Sequence, residues 1–365
     1  MMGRWIVRGG AILAALVLVV GVWGVRRGVH HAVYEAVLVP LVAHRVVGDA
    51  RTPEDVARRL QEFVYLNLRM PTDAPTFETD NREVLLRGFA FCDQAVYVFI
   101  HLLQEQDISG RMVFLYRADG VSPHTVAEVQ LGGGWHVFDV LFDFVPIRPD
   151  GSVASVRDLI AEPGLLGRSR VPVEWYRYSK VRLVRGPERR RQGGPALTFA
   201  RQAFVRRVVA LTPRWMADRF QDFYLWLPAL PVADPRFAGD PAAARLFFRA
   251  RHHHVLLRDR EASAEYREFL SRYPQHPAAD HVLYYLGLVQ LTQSRDPVAA
   301  IASFGELLER FPRTVWRAET EYLLARAHEA AGHCATALDL YRRVREGNGD
   351  GREDAQDRLG RLTCA

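Results

Sequence analysis

Lysine is almost absent from this sequence. Lys180 is the one lysine among 48 basic residues, so nearly all positive charge lies on arginine. A net charge of +6 is compatible with binding to nucleic acids. The arginines, however, alternate with aspartate and glutamate along predicted helices, which is typical of solvated faces, and the densest basic run, residues 185–191, is short. We therefore expect no nucleic-acid partner.

Cysteine is also scarce, with Cys92, Cys334 and Cys364 as the three examples. An odd count leaves one thiol unpaired in an exported protein. Cys334 and Cys364 would pair if the last helix folds back, which would leave Cys92 as the free thiol. No lipobox cysteine follows the apolar segment at the N-terminus.

That N-terminal segment, residues 1–27, contains an uncharged apolar run at 9–25. Its length is at the lower end of the roughly 17–25 residues that a spanning helix needs, and Trp5 and Trp23 lie near its ends, where aromatic residues meet the membrane interface. The alternative is a cleaved signal peptide, but residues 22–24 make a poor cleavage site followed at once by two arginines. We predict an uncleaved transmembrane anchor. Its orientation stays open, because arginines flank both ends.

The length of 365 residues predicts two or three further units. Residues 53–68 have apolar side chains at helical spacing, with Thr52 as a fair N-cap and Pro53 in the first turn.

The stretch GFAFCDQAVYVFIHLL, residues 88–103, then places Cys92 at the start of an apolar helix predicted to reach Gln106. Unpaired N–H groups at a helix start favour a thiolate and can bind a developing oxyanion.

Strands are predicted after this helix because the segments are rich in β-branched and aromatic residues. Three lie at residues 111–117, 126–131 and 135–145, and the last two are joined by three glycines, a hairpin signal. A short helix at 155–162 and edge strands at 171–178 and 181–186 complete the unit.

A thiol nucleophile needs a base, and His101, His124 and His136 are the candidates. His101 is more than two turns along the helix from Cys92, and His136 points to the opposite side of its strand from Asp139. Two hairpin registers are possible, which place His124 directly opposite Asp139 or diagonal to it. Both registers allow contact, so Asp139 can orient the imidazole of His124.

The motifs GFAFCDQA, SPHTVAEV and WHVFDV, in that order, resemble the transglutaminase-like cysteine superfamily over about residues 53–144. The resemblance implies an α+β, papain-like core that transfers acyl groups through a thioester. It assigns Cys92 as nucleophile, His124 as general base and acid, and Asp139 as the orienting residue. A glycine is usual two residues before the cysteine, where this sequence has Ala90, with Gly88 further back.

The last third of the chain repeats itself at an offset of 38 residues, which relates Tyr266 to Phe304 and Tyr284 to Tyr322. Each unit is predicted to be two amphipathic helices. Residues 241–346 resemble tetratricopeptide (TPR) repeats of the longer-period type found in bacterial cell-envelope proteins, which implies stacked helices that bind a partner. The consecutive histidines 252–254 make a poor metal cage and are interpreted as surface or packing residues.

We expect a single-pass membrane protein with its soluble part extracytoplasmic, a cytoplasm-facing version being the weaker option. Its predicted parts are the anchor 1–27, a transglutaminase-like α+β domain 28–195 that ends in a linker, a connecting helical segment 196–240, and all-α TPR-like repeats 241–365. The predicted function is thiol peptidase or transamidase, acting on a peptide or protein, with a protein partner bound by the repeats. Neither metal nor organic cofactor is implied. The alternative is a non-catalytic envelope scaffold with a degenerate cysteine domain.

Overall fold

The computed structural model describes residues 29–70, 81–167, 169, 171–183, 216, 219, 234–347 and 352–362. The described residues from 42 to 183 and from 234 to 362 belong to one compact unit, and residues 29–41 belong to another. Among the described residues, no helix combines the length and apolarity needed to cross a membrane. The predicted anchor, the predicted linker and most of the connecting segment lie outside the described residues.

In the described part of the chain before the sheet lie four helices: α1 (Val29–Val47), α2 (Pro53–Asn67), α3 (Asn81–Arg87) and α4 (Cys92–Gln104). Helix α2 begins as predicted, because the Thr52 hydroxyl accepts a hydrogen bond of 3.1 Å from the Asp55 N–H. Helix α4 ends two residues before the predicted boundary. It packs against α2 and against the two central strands of the sheet, and most of its length is buried.

The sheet has four antiparallel strands, in the order β3–β2–β1–β4: β1 (Gly110–Leu115), β2 (His124–Leu131), β3 (Gly134–Phe138) and β4 (Lys180–Leu183). The first six residues of β2 are buried, so this strand is covered on both faces. The turn between β2 and β3 consists of Gly132 and Gly133, whose φ angles of 55° and 86° are those a tight hairpin requires.

Two predicted strands differ from the structure. The strand predicted at residues 135–145 ends at Phe138, because residues 140–143 form a turn that is closed by the pairing of Asp139 with Phe144. Residues 171–178 are predicted from sequence to form an edge strand. They instead contain helix α6 (Val173–Arg177), which follows α5 (Val156–Ala161) and a 3₁₀ turn (Pro163–Leu166). Tyr176 on α6 is fully buried in a core that includes Val126 and Leu159. Burial of this ring therefore overrides a weak strand preference.

The described residues from 234 onwards are mainly helical. After a 3₁₀ turn (Pro235–Phe237) come seven helices, each packed on the next along the chain: α7 (Pro241–Val255), α8 (Asp259–Arg272), α9 (Ala279–Thr292), α10 (Pro297–Arg310), α11 (Arg317–Ala330), α12 (Cys334–Glu346) and α13 (Arg352–Arg361). Cys334 is disulfide-bonded, Cys92 is free, and Cys364 lies outside the described residues.

Positions 38 residues apart occupy matching places in this helical region. Tyr266 on α8 and Phe304 on α10 are both fully buried. Gly287 on α9 lies where that helix meets α10: a Cβ atom there would come within 2.5 Å of the Phe304 ring. The equivalent position on α11 is the buried Ala325. The sequence period therefore corresponds to consecutive helix pairs.

Candidate active site

Cys92 is the first residue of α4 and is half-buried. The preceding residue, Phe91, is extended, and its N–H donates to Gln94 Oε1 over 3.0 Å. The first helical hydrogen bond runs from Ala95 N–H to the Phe91 carbonyl. The chain therefore enters the helix at Cys92, and the thiol lies at the positive end of the helix dipole.

His124 is the first residue of β2 and is 4% exposed. Its Nε2 lies 2.9 Å from Asp139 Oδ2, and the side chain of Cys92 is close enough to the ring to raise the pKa of His124. Because Nε2 faces the carboxylate, Nδ1 is the nitrogen that remains for the thiol. Phe142 stacks on the imidazole with ring centroids 5.1 Å apart and covers it from one side.

Asp139 directly follows β3 and is fully buried. Its N–H and carbonyl both pair with Phe144, at 2.8 and 3.0 Å, so a tight turn fixes its backbone. Gln61 on α2 donates to the Asp139 carbonyl over 3.4 Å and to Asp143 Oδ1 over 3.1 Å. These contacts tie the turn to α2 and orient the carboxylate that holds His124.

The hairpin register distinguishes the two sequence-based alternatives. Ala127 pairs with Phe138, which makes Asp139 the neighbour of Val126 and a diagonal neighbour of His124. The register with Gly132 and Gly133 in the turn is therefore the one adopted, and the diagonal contact is close enough for a hydrogen bond.

The charges around His124 favour its protonated form. Burial by itself lowers the pKa of His124, but the charge of Asp139, its hydrogen bond and the contact with Cys92 raise it, and the net pKa is about 10. The imidazole is therefore positively charged at neutral pH. A thiolate at Cys92 would face this cation at the start of a helix, an arrangement that favours a nucleophilic cysteine.

The two other candidate bases are held away from this arrangement. The amide nitrogen of Asn81 contacts His101 Nδ1, and the His101 ring packs on Tyr97. His136 points both ring nitrogens at backbone carbonyls, of Val153 at 2.5 Å and of Leu131 at 3.1 Å. Both side chains therefore form contacts that stabilise the fold.

Glu128 and the histidine run 252–254 are polar residues with structural contacts. Glu128 pairs with Arg111 across the sheet, with Oε2 2.7 Å from Nη2. In the run 252–254, the first and last histidines are fully buried, and burial lowers the pKa of both, while the middle one bonds to Glu265 over 2.8 Å. Of the two interpretations of residues 252–254, packing is therefore the one that the structure supports. No group of three His, Cys, Asp or Glu able to hold a metal ion occurs in the described part of the chain.

Sequence reasoning missed Gln61 and Phe142. Gln61 is a buried polar residue between the core residues Leu60 and Phe63, and its position within the apolar face of α2 is the signal that could have marked it. Phe142 carried no such signal, because an aromatic residue near a strand end is common in any core.

Comparison with known families agrees with this geometry. Residues 41–140 match the model of the transglutaminase-like superfamily, a stretch that includes Cys92, His124 and Asp139. Searches of curated proteins and of solved structures returned no match. The chain therefore carries a transglutaminase-like domain at residues 41–140.

Proposed function

We propose that the protein is a thiol enzyme that transfers acyl groups from a peptide or protein amide, with Cys92 as nucleophile. One observation carries the proposal: the ring of His124 is bonded to Asp139 through Nε2, and the side chain of Cys92 lies close enough to the same ring to raise the pKa of His124. The match to the transglutaminase-like superfamily supports the same chemistry, since that superfamily consists generally of cysteine-based enzymes.

In the first step the Cys92 thiolate attacks the carbonyl carbon of the amide, and the C=O π electrons move to oxygen. Backbone N–H groups at the start of α4 are placed to donate to this oxyanion. The oxyanion then collapses, the C–N bond breaks, and the amine departs with the proton that His124 Nδ1 gives up. A thioester remains on Cys92.

In the second step His124, now neutral, takes a proton from water or from an incoming amine as that group attacks the thioester. The C–S bond breaks, and the product is a carboxylic acid or a new amide. Asp139 keeps the proton on Nε2 throughout, so that Nδ1 alone exchanges protons with the reacting groups.

The test is the rate at which iodoacetamide alkylates Cys92 as a function of pH, measured by mass spectrometry of the intact chain. We expect Cys92 to be alkylated rapidly already at mildly acidic pH, because the His124 imidazolium and the start of α4 favour a reactive thiol. His124→Ala should remove this acid-pH reactivity. An ordinary thiol profile in the wild type would contradict the assignment and favour the alternative function, a non-catalytic scaffold.

We also propose that residues 241–346 are TPR-like repeats that bind a protein partner, and that residues 1–27 anchor the chain so that its soluble part is extracytoplasmic. The matching positions at an offset of 38 residues support the first proposal, and the apolar run 9–25 supports the second. Removal of residues 1–27 should move the chain from the membrane fraction to the soluble fraction. A reporter fused after Ala365, active only outside the cytoplasm, tests the orientation.

A further inference from the structure

Helix α3, which precedes Cys92, ends against two arginines from later in the chain, Arg236 of the 3₁₀ turn 235–237 and Arg251 of α7. The last carbonyls of a helix lack partners within that helix. In α3, the Leu85 carbonyl accepts from Arg251 Nη2 at 2.7 Å, the Leu86 carbonyl from Arg251 Nε at 3.4 Å, and the Arg87 carbonyl from Arg236 Nη2 at 3.1 Å. Positive side chains also suit the negative end of the helix dipole. Residues more than 140 positions later in the chain therefore complete the last turn of α3.

Arg251 is fully buried, and its contacts reach a second element next to the site. Besides the α3 carbonyls, its Nη1 donates to Asn67 Oδ1 over 3.2 Å, and its guanidinium lies 3.8 Å from the centroid of the Tyr285 ring. A buried charge is costly unless polar groups surround it. Arg251 therefore completes the hydrogen bonding at the ends of α2 and α3, and these ends in turn surround its buried charge with polar groups.

The backbone between α3 and α4 is also in direct contact with this region. Gly88 has a φ of +78°, and a Cβ atom there would come within 1.8 Å of the Tyr285 hydroxyl. The next residue, Phe89, lies between three side chains of the helical region: Arg236 at 4.8 Å, His281 at 5.2 Å and Trp316 at 6.3 Å from its ring.

A short strand-like pairing holds the same backbone from the other side. The Arg69 N–H donates to the Gly88 carbonyl at 3.0 Å, and the Ala90 N–H donates to the Arg69 carbonyl at 2.9 Å. The Arg69 side chain in turn forms an ion pair with Glu319 of α11. Residues 85–91, which we call the approach segment, are therefore fixed by the helical region both directly and through Arg69.

Only Phe91 separates the last of these contacts, at Ala90, from Cys92. A shift of the approach segment would therefore move the start of α4 and change the distance from the Cys92 thiol to His124, which is held by its own strand. A displacement of about 1 Å in reacting groups can cost roughly a hundredfold in rate.

We propose that the C-terminal helices are part of the apparatus that positions Cys92, with Arg251 and Phe89 as positioning residues that hold the approach segment. This inference rests on the proposed function, because it requires a Cys92–His124 pair to position. It assigns to the helical region a role in the reaction, besides any role in binding partners.

The test compares the pH profile of Cys92 alkylation in the full-length wild type and in the variants Phe89→Ala and Arg251→Met. Each is measured with and without His124→Ala, so that the His124-dependent part of the rate is isolated. Near pH 6, we expect the His124-dependent part of the alkylation rate to be roughly tenfold to a hundredfold lower in both variants than in the wild type. Phe89→Tyr, which keeps the ring, should restore the wild-type profile. If Phe89→Ala fails to fold, Phe89→Leu replaces it, with a smaller loss expected.

Phe304→Leu is the matched control, because Phe304 is buried in the same helical region, packs against Gly287 and lies on α10, which packs on α9 and α11. It should keep the wild-type profile. Folded Phe89 and Arg251 variants with a wild-type profile would overturn the positioning role and leave the proposed function intact. An equal loss in Phe304→Leu would also overturn it, since the effect would then be general destabilisation. A wild type whose profile equals that of His124→Ala would overturn the proposed function and the positioning role together.

Discussion

His124 Nε2 lies 2.9 Å from Asp139 Oδ2, and this bond determines which nitrogen of the imidazole serves Cys92. A carboxylate only accepts hydrogen bonds, so the proton on Nε2 is held in place and Nδ1 is the nitrogen that exchanges protons with the thiol. The pairing also supplies the negative charge that keeps His124 protonated.

Asp139→Asn is expected to remove most of the acid-pH reactivity of Cys92. An asparagine keeps the shape of the side chain but loses the charge that raises the pKa of His124, so the imidazole becomes neutral near pH 7 and the thiolate loses its counter-charge. By analogy with carboxylates in triads, the turnover rate should fall between about a hundredfold and ten-thousandfold. Iodoacetamide alkylation from pH 5 to 9 and turnover of a peptide substrate give the two measurements.

Asp143→Asn is the control for this variant. Asp143 lies in the same turn and bonds to Gln61, and its φ of 47° is one that asparagine adopts readily. Its profile should match that of the wild type. Equal effects of the two substitutions would show that the turn, not the charge beside His124, governs the thiol.

The stability of the fold should depend on pH through His124. Its pKa is raised from 6.5 to about 10 in the folded state, so the folded state binds its proton more tightly than the unfolded state does. The resulting stabilisation is fully present below about pH 6.5 and is lost as pH rises through about 10. Urea unfolding of wild type and His124→Gln between pH 6 and 10.5 measures it. The gap between their free energies of unfolding should narrow as pH rises, and a constant gap would contradict the charge pairing.

The three residues of the candidate site can be predicted from sequence more readily than the distant residues that hold them in position. The order of Cys92, His124 and Asp139 and the glycine turn between the last two restrict the hairpin to two registers, both of which bring His124 and Asp139 into contact. Local geometry is enough for that inference, because successive side chains of a strand point to opposite faces of the sheet, with a period of two residues. The structure selects one register.

Elements whose conformation depends on distant packing were harder to predict. Residues 171–178 have the composition of a strand and form a helix because Tyr176 is buried in the core. Arg251 lies on an amphipathic helix, where arginine normally faces solvent; it has the helical spacing of the buried Phe247 and Val255, but the sequence analysis did not single it out. Its contacts with Leu85 and Asn67 join residues more than 160 positions apart, which no local signal records.

His101 and His136 should prove dispensable for the reactivity of Cys92. Their ring nitrogens contact Asn81 and backbone carbonyls. We expect His101→Gln and His136→Gln to keep the alkylation profile within about threefold of wild type, while each lowers the free energy of unfolding by about 1–3 kcal/mol through the hydrogen bonds it disturbs. A loss of acid-pH reactivity in either variant, comparable to that of His124→Ala, would reassign the base.

Gly88→Ala is expected to be more destabilising than its backbone angle alone explains. Gly120 has nearly the same positive φ, 80° against 78°, with nothing within 4 Å of an added Cβ atom. Gly120→Ala therefore isolates the cost of the left-handed backbone, about 1–2 kcal/mol. In Gly88→Ala the new methyl also collides with the Tyr285 hydroxyl, which adds about 1–3 kcal/mol.

Tyr285→Phe provides the matching half of a double-mutant cycle. The Tyr285 hydroxyl is buried with no hydrogen-bond partner among the described residues, so its removal should change stability by less than about 1 kcal/mol. In this background Gly88→Ala should recover part of the collision energy, giving a coupling of about 0.5–3 kcal/mol; the ring carbon at 2.9 Å keeps the recovery incomplete. If the two substitutions change the free energy of unfolding in urea strictly additively, Tyr285 is not in close contact with the approach segment in solution.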